Sequence, residues 1–388
     1  MFKFDPNLKE YCTPRQLKYL ETWDKCGSQR EAAEAMKVSK QNFDAVKKAV
    51  YAKAAQHGYS PEHDWTHRIP DGQKVKGVST LYGSDGEVKV QWVKSTEDAR
   101  RQQEMFEAMV AGFTDTLPRE EATAGPDGPM SENLMACYPV GDHHMGMLAW
   151  HEETGKDYDL KIAERLLMGA ANHLTGIAPK CEQATIVFLG DFMHYDSFFA
   201  VTPTSRNQLD ADSRYPRMVR YAIRSMRYLI ERVLSQHLFV RIIVEIGNHD
   251  LSSSIFLMEC LAAVYEFEDR VTIDTSPAHY HYFTFGNTLV GTHHGHGAKM
   301  LQLPLIMAAD KPEEWGASTY RYWWTGHVHH DQTKDYHGTK VESFRVLAPN
   351  DAWAQEKGYR AMQDMKCIIL HSEFGEVSRH TVNPEMLK

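Results

Sequence analysis

The sequence predicts an α/β fold for residues 134–388, preceded by a small helical region with a β-hairpin. Two observations carry this prediction. Apolar runs at 134–140, 184–189 and 240–246 each end in a turn that contains glycine with aspartate or asparagine. Helical stretches near 158–175 and 214–236 separate these runs. Strands that alternate with helices are typical of α/β domains.

The C-terminal part continues with strands that lack long helices between them. This absence predicts a second, more antiparallel sheet packed on the first. The predicted strands of that second sheet are 279–292, 320–325, 341–347 and 366–371.

Residues 12–52 are predicted to form helices. Leu17, Leu20 and Trp23 recur at three-residue spacing on one helical face, and Ser39 stands where it can cap a following helix. Small alanines in the first of two short helices, the apolar turn residue Val38 and the Ser39 cap resemble the helix-turn-helix of DNA-binding proteins. The alternative is a pair of short packed helices without that function. The candidate nucleic-acid-binding residues are Lys40, Gln41, Asn42, Lys47 and Lys48.

The region between these helices and the α/β domain is predicted in three pieces. Residues 78–94 alternate in polarity around a turn at 84–86, which predicts a β-hairpin. Residues 97–112 are predicted to be helical. Residues 113–133 collect proline, glycine and charge without periodicity, and therefore indicate a linker. The N-terminal domain then spans 1–112.

Composition narrows the class of protein. The 388 residues are 42% hydrophobic and 24% charged, with a net charge of −9, which is ordinary for a globular protein. No apolar run is long enough to cross a bilayer, and the first residues lack a signal-peptide core. The six cysteines are scattered, without a C-x-x-C pair. We expect a cytoplasmic protein without a membrane partner; a homo-oligomer stays open.

Five short segments at the ends of predicted strands carry the chemistry. Their side chains are carboxylates, imidazoles and one amide, without a thiolate. This donor set disfavours a structural zinc site and favours a hydrolytic site for Mn, Fe, Mg or Zn. Loops at the carboxyl ends of strands are also where α/β sheets place their sites. The segments are 141–144, 190–194, 247–250, 293–296 and 326–329.

In chain order these segments read D-x-H, G-D, G-N-H-D, H-G-H and G-H-x-H, and they resemble the calcineurin-like metallophosphoesterase superfamily over residues 134–375. The resemblance implies a four-layer β-sandwich flanked by helices. It also implies two divalent metal ions, Mn first, with Fe, Zn, Mg or Ni as alternatives. The reaction implied is hydrolysis of a phosphoester by a hydroxide held between the metals.

The resemblance also implies a role for each matching residue. Asp142, His144 and His329 would hold the first metal. Asn248, His294 and His327 would hold the second. Asp191 would bridge both metals, and His249 would act as general acid. His293 and His296 compete with His294 for one ligand position.

Further features favour nucleic acid as the substrate. Residues 190–194 are similar to the G-D-L-F-H segment of SbcD-type nucleases, in which the histidine helps to position the nucleotide; His194 would take that catalytic place. Arg206, Arg214 and Arg217 could grip phosphates, or could pair with nearby aspartates. The whole arrangement also resembles metallophosphoesterases encoded by tailed bacteriophages, for which the location would be the host cytoplasm.

The leading hypothesis from the sequence is a dinuclear metal-dependent phosphodiesterase acting on DNA or RNA, that is, a nuclease. One alternative is a phosphomonoesterase or cyclic-nucleotide phosphodiesterase for small substrates. For either, Tyr320, Tyr322, Trp323 and Trp324 could line a pocket or stack on bases, or form core. The other alternative is a DNA-binding protein with a vestigial site. The sequence leaves open the metal, the substrate and the mode of cleavage.

Overall fold

The computed structural model describes residues 5–26, 28–56, 59, 73–82, 88–97 and 125–387. The chain divides into two compact units, 1–110 and 111–388.

In its described residues, the N-terminal unit has three helices after a 3₁₀ turn: α1 (Pro14–Lys25), α2 (Gln29–Ala35) and α3 (Lys40–Gln56). Tyr19, Ala32, Ala33 and Phe43 form a buried cluster that joins all three helices. The backbone N–H of Asn42 donates to Ser39 Oγ at 3.1 Å. The prediction that Ser39 caps α3 is therefore confirmed.

A two-stranded antiparallel ribbon follows these helices and consists of β1 (Gln73–Tyr82) and β2 (Val88–Glu97). The pairing confirms the predicted hairpin strands. The predicted turn at 84–86, almost all of the predicted helix and most of the predicted linker lie outside the described residues.

The C-terminal unit alternates strands and helices at first and then continues mainly with strands. The first part contains β3 (Ser131–Val140), α4 (His151–Thr154), α5 (Leu160–Ile177), β4 (Cys181–Phe188), α6 (Tyr215–Leu234), β5 (Phe239–Val244), α7 (Leu251–Val264) and β6 (Val271–Ile273). The second part contains β7 (His281–Phe285), β8 (Thr288–His293), α8 (Leu303–Asp310), α9 (Pro312–Ala317), β9 (Tyr320–Thr325), β10 (Gln332–Tyr336), β11 (Thr339–Ser343), α10 (Ala352–Glu356), β12 (Met365–His371) and β13 (Gly375–Val382). Strand β3 begins at Ser131, inside the predicted linker.

Two sheets organise this unit. The six-stranded sheet has the order β13-β12-β3-β4-β5-β6, in which β3 to β6 are parallel. The five-stranded sheet has the order β10-β11-β9-β8-β7 and mixes parallel with antiparallel pairs. The assignment of 366–371 to the second sheet was wrong, because β12 pairs antiparallel with β3 in the first. An apolar run predicts a buried strand, but it carries no information about which sheet the strand joins.

The two sheets face each other across the main core. Side chains such as Val187 and Ile243 from the first sheet meet Val290 and Trp324 from the second in one buried cluster. Helices α5, α6 and α7 contact the first sheet, and α6 contacts both α5 and α7. Leu303 and Met307 of α8 pack with Trp323 on the outer side of the second sheet. The four-layer α/β architecture implied by the resemblance is therefore confirmed.

A buried ion pair joins the two sheets. His281 Nδ1–H on β7 donates to Glu245 Oε1 beyond β5 at 3.1 Å, and its Nε2–H donates to the Ser276 carbonyl at 3.1 Å. The Glu245 carboxylate and the Ser276 carbonyl can only accept hydrogen bonds. Both ring nitrogens of His281 therefore carry a proton, and the ring is an imidazolium. Burial opposes this charge, but Glu245 outweighs it and raises the pKa of His281 to about 9 from 6.5.

This pair predicts a loss of stability at alkaline pH. The folded pKa of His281 is raised, so its contribution is complete below 6.5 and disappears as the pH rises through 9. The contribution is on the order of 2–3 kcal/mol. We expect the free energy of unfolding in urea to fall over that interval in the wild type. The double variant Glu245→Gln/His281→Gln lacks both charges and should not show this fall; parallel pH profiles for the two proteins would contradict the assignment.

Across the described part of the chain, no helix combines the length and the apolar character that a membrane crossing requires.

Candidate metal centre

The predicted ligands lie at the carboxyl ends of five strands. Asp142 follows β3, Asp191 follows β4, Asn248 follows β5 and His294 follows β8. His327 and His329 lie in the loop after β9. Neighbouring loops are tied by the backbone, since His144 N–H donates to the Asp191 carbonyl at 3.0 Å. The topology therefore gathers residues that are far apart in the sequence at one edge of the sandwich.

The first group of ligand atoms comes from Asp142, His144 and His329, all within 4.8 Å of one another. His144 Nε2 and His329 Nε2 are 3.1 Å apart, and His329 Nε2 is 3.4 Å from Asp142 Oδ1. Nitrogen and oxygen lone pairs that converge at such distances repel each other unless a proton or a cation lies between them. These are the three residues expected at the first metal.

The second group comes from Asp191, His294 and His327 and is equally compact. His294 Nε2 lies 3.2 Å from Asp191 Oδ2 and 3.0 Å from Asn248 Oδ1. On the other side of the ring, Nδ1–H donates to the Leu189 carbonyl at 2.7 Å. This hydrogen bond fixes the ring so that Nε2 points to the carboxylate and amide oxygens, as is common for metal-binding histidines.

Hydrogen bonds from the backbone hold the two carboxylates in place. His327 N–H donates to both oxygens of Asp142, at 3.0 and 2.9 Å. His249 N–H donates to Asp191 Oδ1 at 2.7 Å. Each carboxylate is thus oriented by the loop that supplies another residue of the same centre.

The electrostatics of the centre favour a bound cation. Asp142 and Asp191 are 0% and 1% exposed. Burial alone would raise their pKa values, but the surrounding histidines, His329 and His294 foremost, outweigh it and lower both. Conversely, burial opposes a charge on His294, yet Asp191 and Asp142 raise its pKa to about 10. Two buried carboxylates therefore require positive charge beside them, which divalent ions would supply.

Four of the seven proposed ligands have a left-handed backbone. The φ angles are 47° at His144, 50° at Asp191, 69° at His327 and 54° at His329. Only seven non-glycine residues have positive φ in the described chain, so these four form the majority. Such conformations cost energy and concentrate at functional sites. Here they turn the chain so that adjacent side chains reach one centre.

Gly247 allows two loops to approach closely. A Cβ at this position would overlap Asp191 Oδ1 and its backbone nitrogen, and would lie 2.5 Å from Asp250 Oδ1. Asp250 in turn accepts from the Asp191 and Met193 N–H groups, at 3.1 and 3.0 Å. A side chain at 247 would therefore displace the Asp191 loop.

We expect Gly247→Ala to lose bound metal and to lower the free energy of unfolding by about 3 kcal/mol or more, because the overlap involves backbone and buried carboxylates. Gly176→Ala is the matched control, since nothing lies within 4 Å of its added Cβ in α5. That control should be neutral or slightly stabilising. Thermal unfolding and metal analysis measure both effects; equal behaviour of the two variants would contradict the prediction.

A third cluster consists of His144, His194 and His249, which the sequence alone did not join. His249 is half-buried, and its Nδ1–H donates to the His194 carbonyl at 2.8 Å, which leaves Nε2 available. His194 is only 1% exposed, and its Nδ1 lies 3.2 Å from His144 Nδ1. The expectation that His194 contacts a nucleotide stays a prediction; in the structure its ring lies against that of His144.

The ambiguity among His293, His294 and His296 is reduced by geometry. His294 alone of the three lies in a ligand group. His293 stacks on Tyr280 with ring centroids 4.7 Å apart, and its Nδ1 accepts from Gly295 N–H at 2.9 Å. His296 is half-buried beside His294, with ring centroids 5.2 Å apart.

The predicted substrate-binding arginines lie outside this cluster. Arg206, Arg214 and Arg217 are exposed, and Arg206 occupies a turn with φ of 57°. Among the described residues, Arg214 and Arg217 form no ion pair with Asp210 or Asp212, and Asp212 Oδ2 accepts from Leu160 N–H at 3.1 Å. The alternative of an aromatic wall for substrate does not fit, because Trp323 and Trp324 are buried in the core.

The predicted nucleic-acid-binding residues lie on α3. Lys40, Gln41, Asn42 and Lys48 are exposed there. Lys47 is half-buried, and its ammonium lies over the rings of Trp23 and Tyr51, 4.9 and 5.4 Å from their centroids. Its charge is thus engaged within the N-terminal unit.

Comparison with known proteins adds information about the fold alone. No family model and no curated protein matches this sequence. Solved structures do match. One is described as a novel archaeal phosphodiesterase (14% identity, 64% of this chain and 100% of the other, TM-score 0.32). Another is a predicted phosphoesterase from Streptococcus pneumoniae (10%, 65% and 100%, TM-score 0.27). A third is Vps29 complexed with zinc from Entamoeba histolytica (11%, 64% and 98%, TM-score 0.29). Similarity this low does not indicate a substrate or a metal, so function is inferred below from the residues themselves.

Proposed function

We propose that this protein is a metal-dependent phosphoesterase that hydrolyses phosphodiesters, with nucleic acid as the substrate class. The observation that carries the proposal is the pair of adjacent ligand groups, Asp142/His144/His329 and Asp191/His294/His327, at the carboxyl ends of the strands. Two metal ions held side by side are a common arrangement for the in-line displacement of phosphoesters.

The donor set fits divalent ions of the Mn type. It offers two carboxylates, four imidazoles and the Asn248 amide, and it includes no thiolate. Such oxygen and nitrogen ligands suit Mn, Fe and Zn. Asp142, His144 and His329 would hold one ion, and Asn248, His294 and His327 the other, with Asp191 between them. When bound, the ions would supply Lewis-acid stabilisation of charge on the phosphoryl oxygens.

The chain itself would supply the proton. His249 keeps its Nδ1 proton in the hydrogen bond to the His194 carbonyl, which can only accept. The opposite nitrogen, Nε2, is then the atom that holds or releases a proton towards the substrate. Its half-exposed position beside the ligand groups would let it protonate the oxygen that leaves phosphorus.

The experiment that tests this function compares substrates under one metal condition. Purified protein with Mn²⁺ is given labelled single- and double-stranded DNA and RNA, bis(nitrophenyl) phosphate and a nitrophenyl monoester. Asp191→Ala is the control. We expect cleavage of the oligonucleotides and the diester by the wild type alone.

Two results would redirect the proposal. Turnover of the monoester or of small diesters, with oligonucleotides untouched, would make the protein a small-molecule phosphoesterase. Absence of hydrolysis with Mn, Zn, Fe, Mg or Ni would exclude an enzyme and favour the DNA-binding alternative, in which the centre is vestigial.

A further inference from the structure

Helix α6 differs in charge from the rest of the protein. Its twenty residues include five arginines and one glutamate, without lysine or aspartate, in a chain of net charge −9. One side of the helix is buried and mostly apolar, through residues such as Met218, Ala222, Met226 and Leu229. The arginines consequently fall mainly on the remaining surface.

The arginine face consists of Arg214, which precedes the helix, with Arg217, Arg220 and Arg224. Steps of three and four residues keep these side chains on neighbouring turns of the helix. Tyr221 lies between two of them, since the guanidinium carbons of Arg217 and Arg224 are 5.6 and 4.5 Å from its ring centroid. These contacts hold the guanidinium groups in order on the surface.

Most of this charge is not neutralised by the protein. Arg224 pairs with Glu164 of α5, with Nη2 to Oε2 at 2.7 Å. For Arg214, Arg217 and Arg220, no carboxylate in the described ranges forms an ion pair. Exposed arginines without carboxylate partners keep their N–H groups for phosphate, to which guanidinium binds in a bidentate manner.

The N-terminal end of α6 is joined by hydrogen bonds to the segments that follow His194 and His249. The hydroxyl of Tyr215, the first residue of α6, hydrogen bonds to Ser253 Oγ at 2.5 Å, four residues after His249. The Tyr195 hydroxyl donates to the Ser213 carbonyl at 2.5 Å, directly after His194. From Arg214 to Arg224 the helix rises by ~15 Å. That length matches about four phosphates along one strand of a B-form duplex.

We propose that the arginine face binds the sugar–phosphate backbone of a nucleic acid strand whose scissile phosphate occupies the metal centre. The inference rests on the proposed function for the position of the scissile phosphate, and on charge complementarity for the binding itself. A mononucleotide or a small ester would fill the metal centre and leave a row of cations unmatched. A polyanion that continues beyond the centre would contact the whole row.

The test measures binding apart from hydrolysis. Fluorescence anisotropy of a labelled oligonucleotide is recorded in EDTA at a series of KCl concentrations, for the wild type, Arg220→Gln and Arg217→Gln/Arg220→Gln. Each lost phosphate contact should reduce the slope of log affinity against log salt by ~0.7–0.9. Arg241→Gln is the matched control, because this exposed arginine lies on β5 and is not part of the arginine face.

The expected result is a stepwise loss of slope in the single and double variants and an unchanged slope in Arg241→Gln. Equal slopes in all four proteins would overturn the proposal. So would wild-type binding to polyglutamate or to phosphatidylserine vesicles that is stronger than binding to the oligonucleotide.

Hydrolysis of bis(nitrophenyl) phosphate with Mn²⁺ separates this proposal from the proposed function. Hydrolysis of that diester without oligonucleotide binding would refute the arginine face and leave the phosphoesterase intact. A salt slope that falls in the arginine variants, without hydrolysis of any substrate by the wild type, would support the arginine face as a binding surface. The same result would refute the proposed enzymatic function.

Discussion

Asp191→Ala is expected to lower phosphodiester hydrolysis by at least ~10³-fold and to reduce the metal content of the purified protein. The reason is that Asp191 lies in the second ligand group, contacts His294 and, through its Oδ1, is bound by the His249 backbone. If this carboxylate serves both ions, its removal weakens both. Metal analysis of the dialysed protein and initial rates with bis(nitrophenyl) phosphate measure the two effects.

Two further variants separate the loss of the Asp191 charge from general effects of substitution. Asp191→Asn keeps an oxygen for the His249 N–H and removes only the charge, so loss of metal in this variant excludes simple misfolding. Asp335→Ala is the matched control, since that aspartate is exposed on β10. Near-normal metal content in both Asp191 variants would refute the bridging role.

His249→Ala is expected to keep the metals and to lose ~10²–10⁴-fold in turnover, the usual contribution of a positioned proton donor. The size of the loss should depend on the leaving group. Nitrophenolate leaves without a proton, whereas a nucleoside alkoxide requires one. We therefore expect a much larger loss with an oligonucleotide than with bis(nitrophenyl) phosphate, and partial rescue by added imidazole.

The contrary outcomes for His249 are equally definite. Loss of metal in His249→Ala would make this histidine a ligand, in line with its proximity to His144. An equal loss for both leaving groups would assign it to charge stabilisation instead of proton donation. His380→Ala, a histidine on β13, serves as the control for general effects of losing an imidazole.

The sequence allowed those parts of the architecture to be predicted that depend on interactions within a single segment. Runs such as 184–189 and 240–246 are mostly apolar because most of their side chains are buried, and the structure has β4 and β5 there. The glycine and polar residue after each run then indicated the ligand loops. Since strand ends of a parallel sheet share one edge, the sequence alone allowed the proposed ligands to be grouped.

Other features depend on contacts between distant segments and could not be predicted. Strand β12 lies beside β3 because the two strands pair, and the apolar pattern of a strand does not predict its partner. The burial of His194 behind His144 depends on how two loops pack. Likewise, the stretch near 214–236 was predicted to be helical, but only the buried positions of α6 reveal that its arginines form one surface.

The left-handed backbone at His144, Asp191, His327 and His329 restricts how this centre can change in evolution or in design. Histidine, aspartate and asparagine are the residue types that most readily accept this conformation after glycine. They are also ligands of graded preference, from imidazole for softer ions to carboxylate and amide oxygen for harder ones. Substitutions among histidine, aspartate and asparagine would alter metal preference without straining the main chain. Threonine or valine at the same positions would be sterically disfavoured. Apart from glycine, the residue types that these four positions accept most readily are therefore ones that can still bind metal.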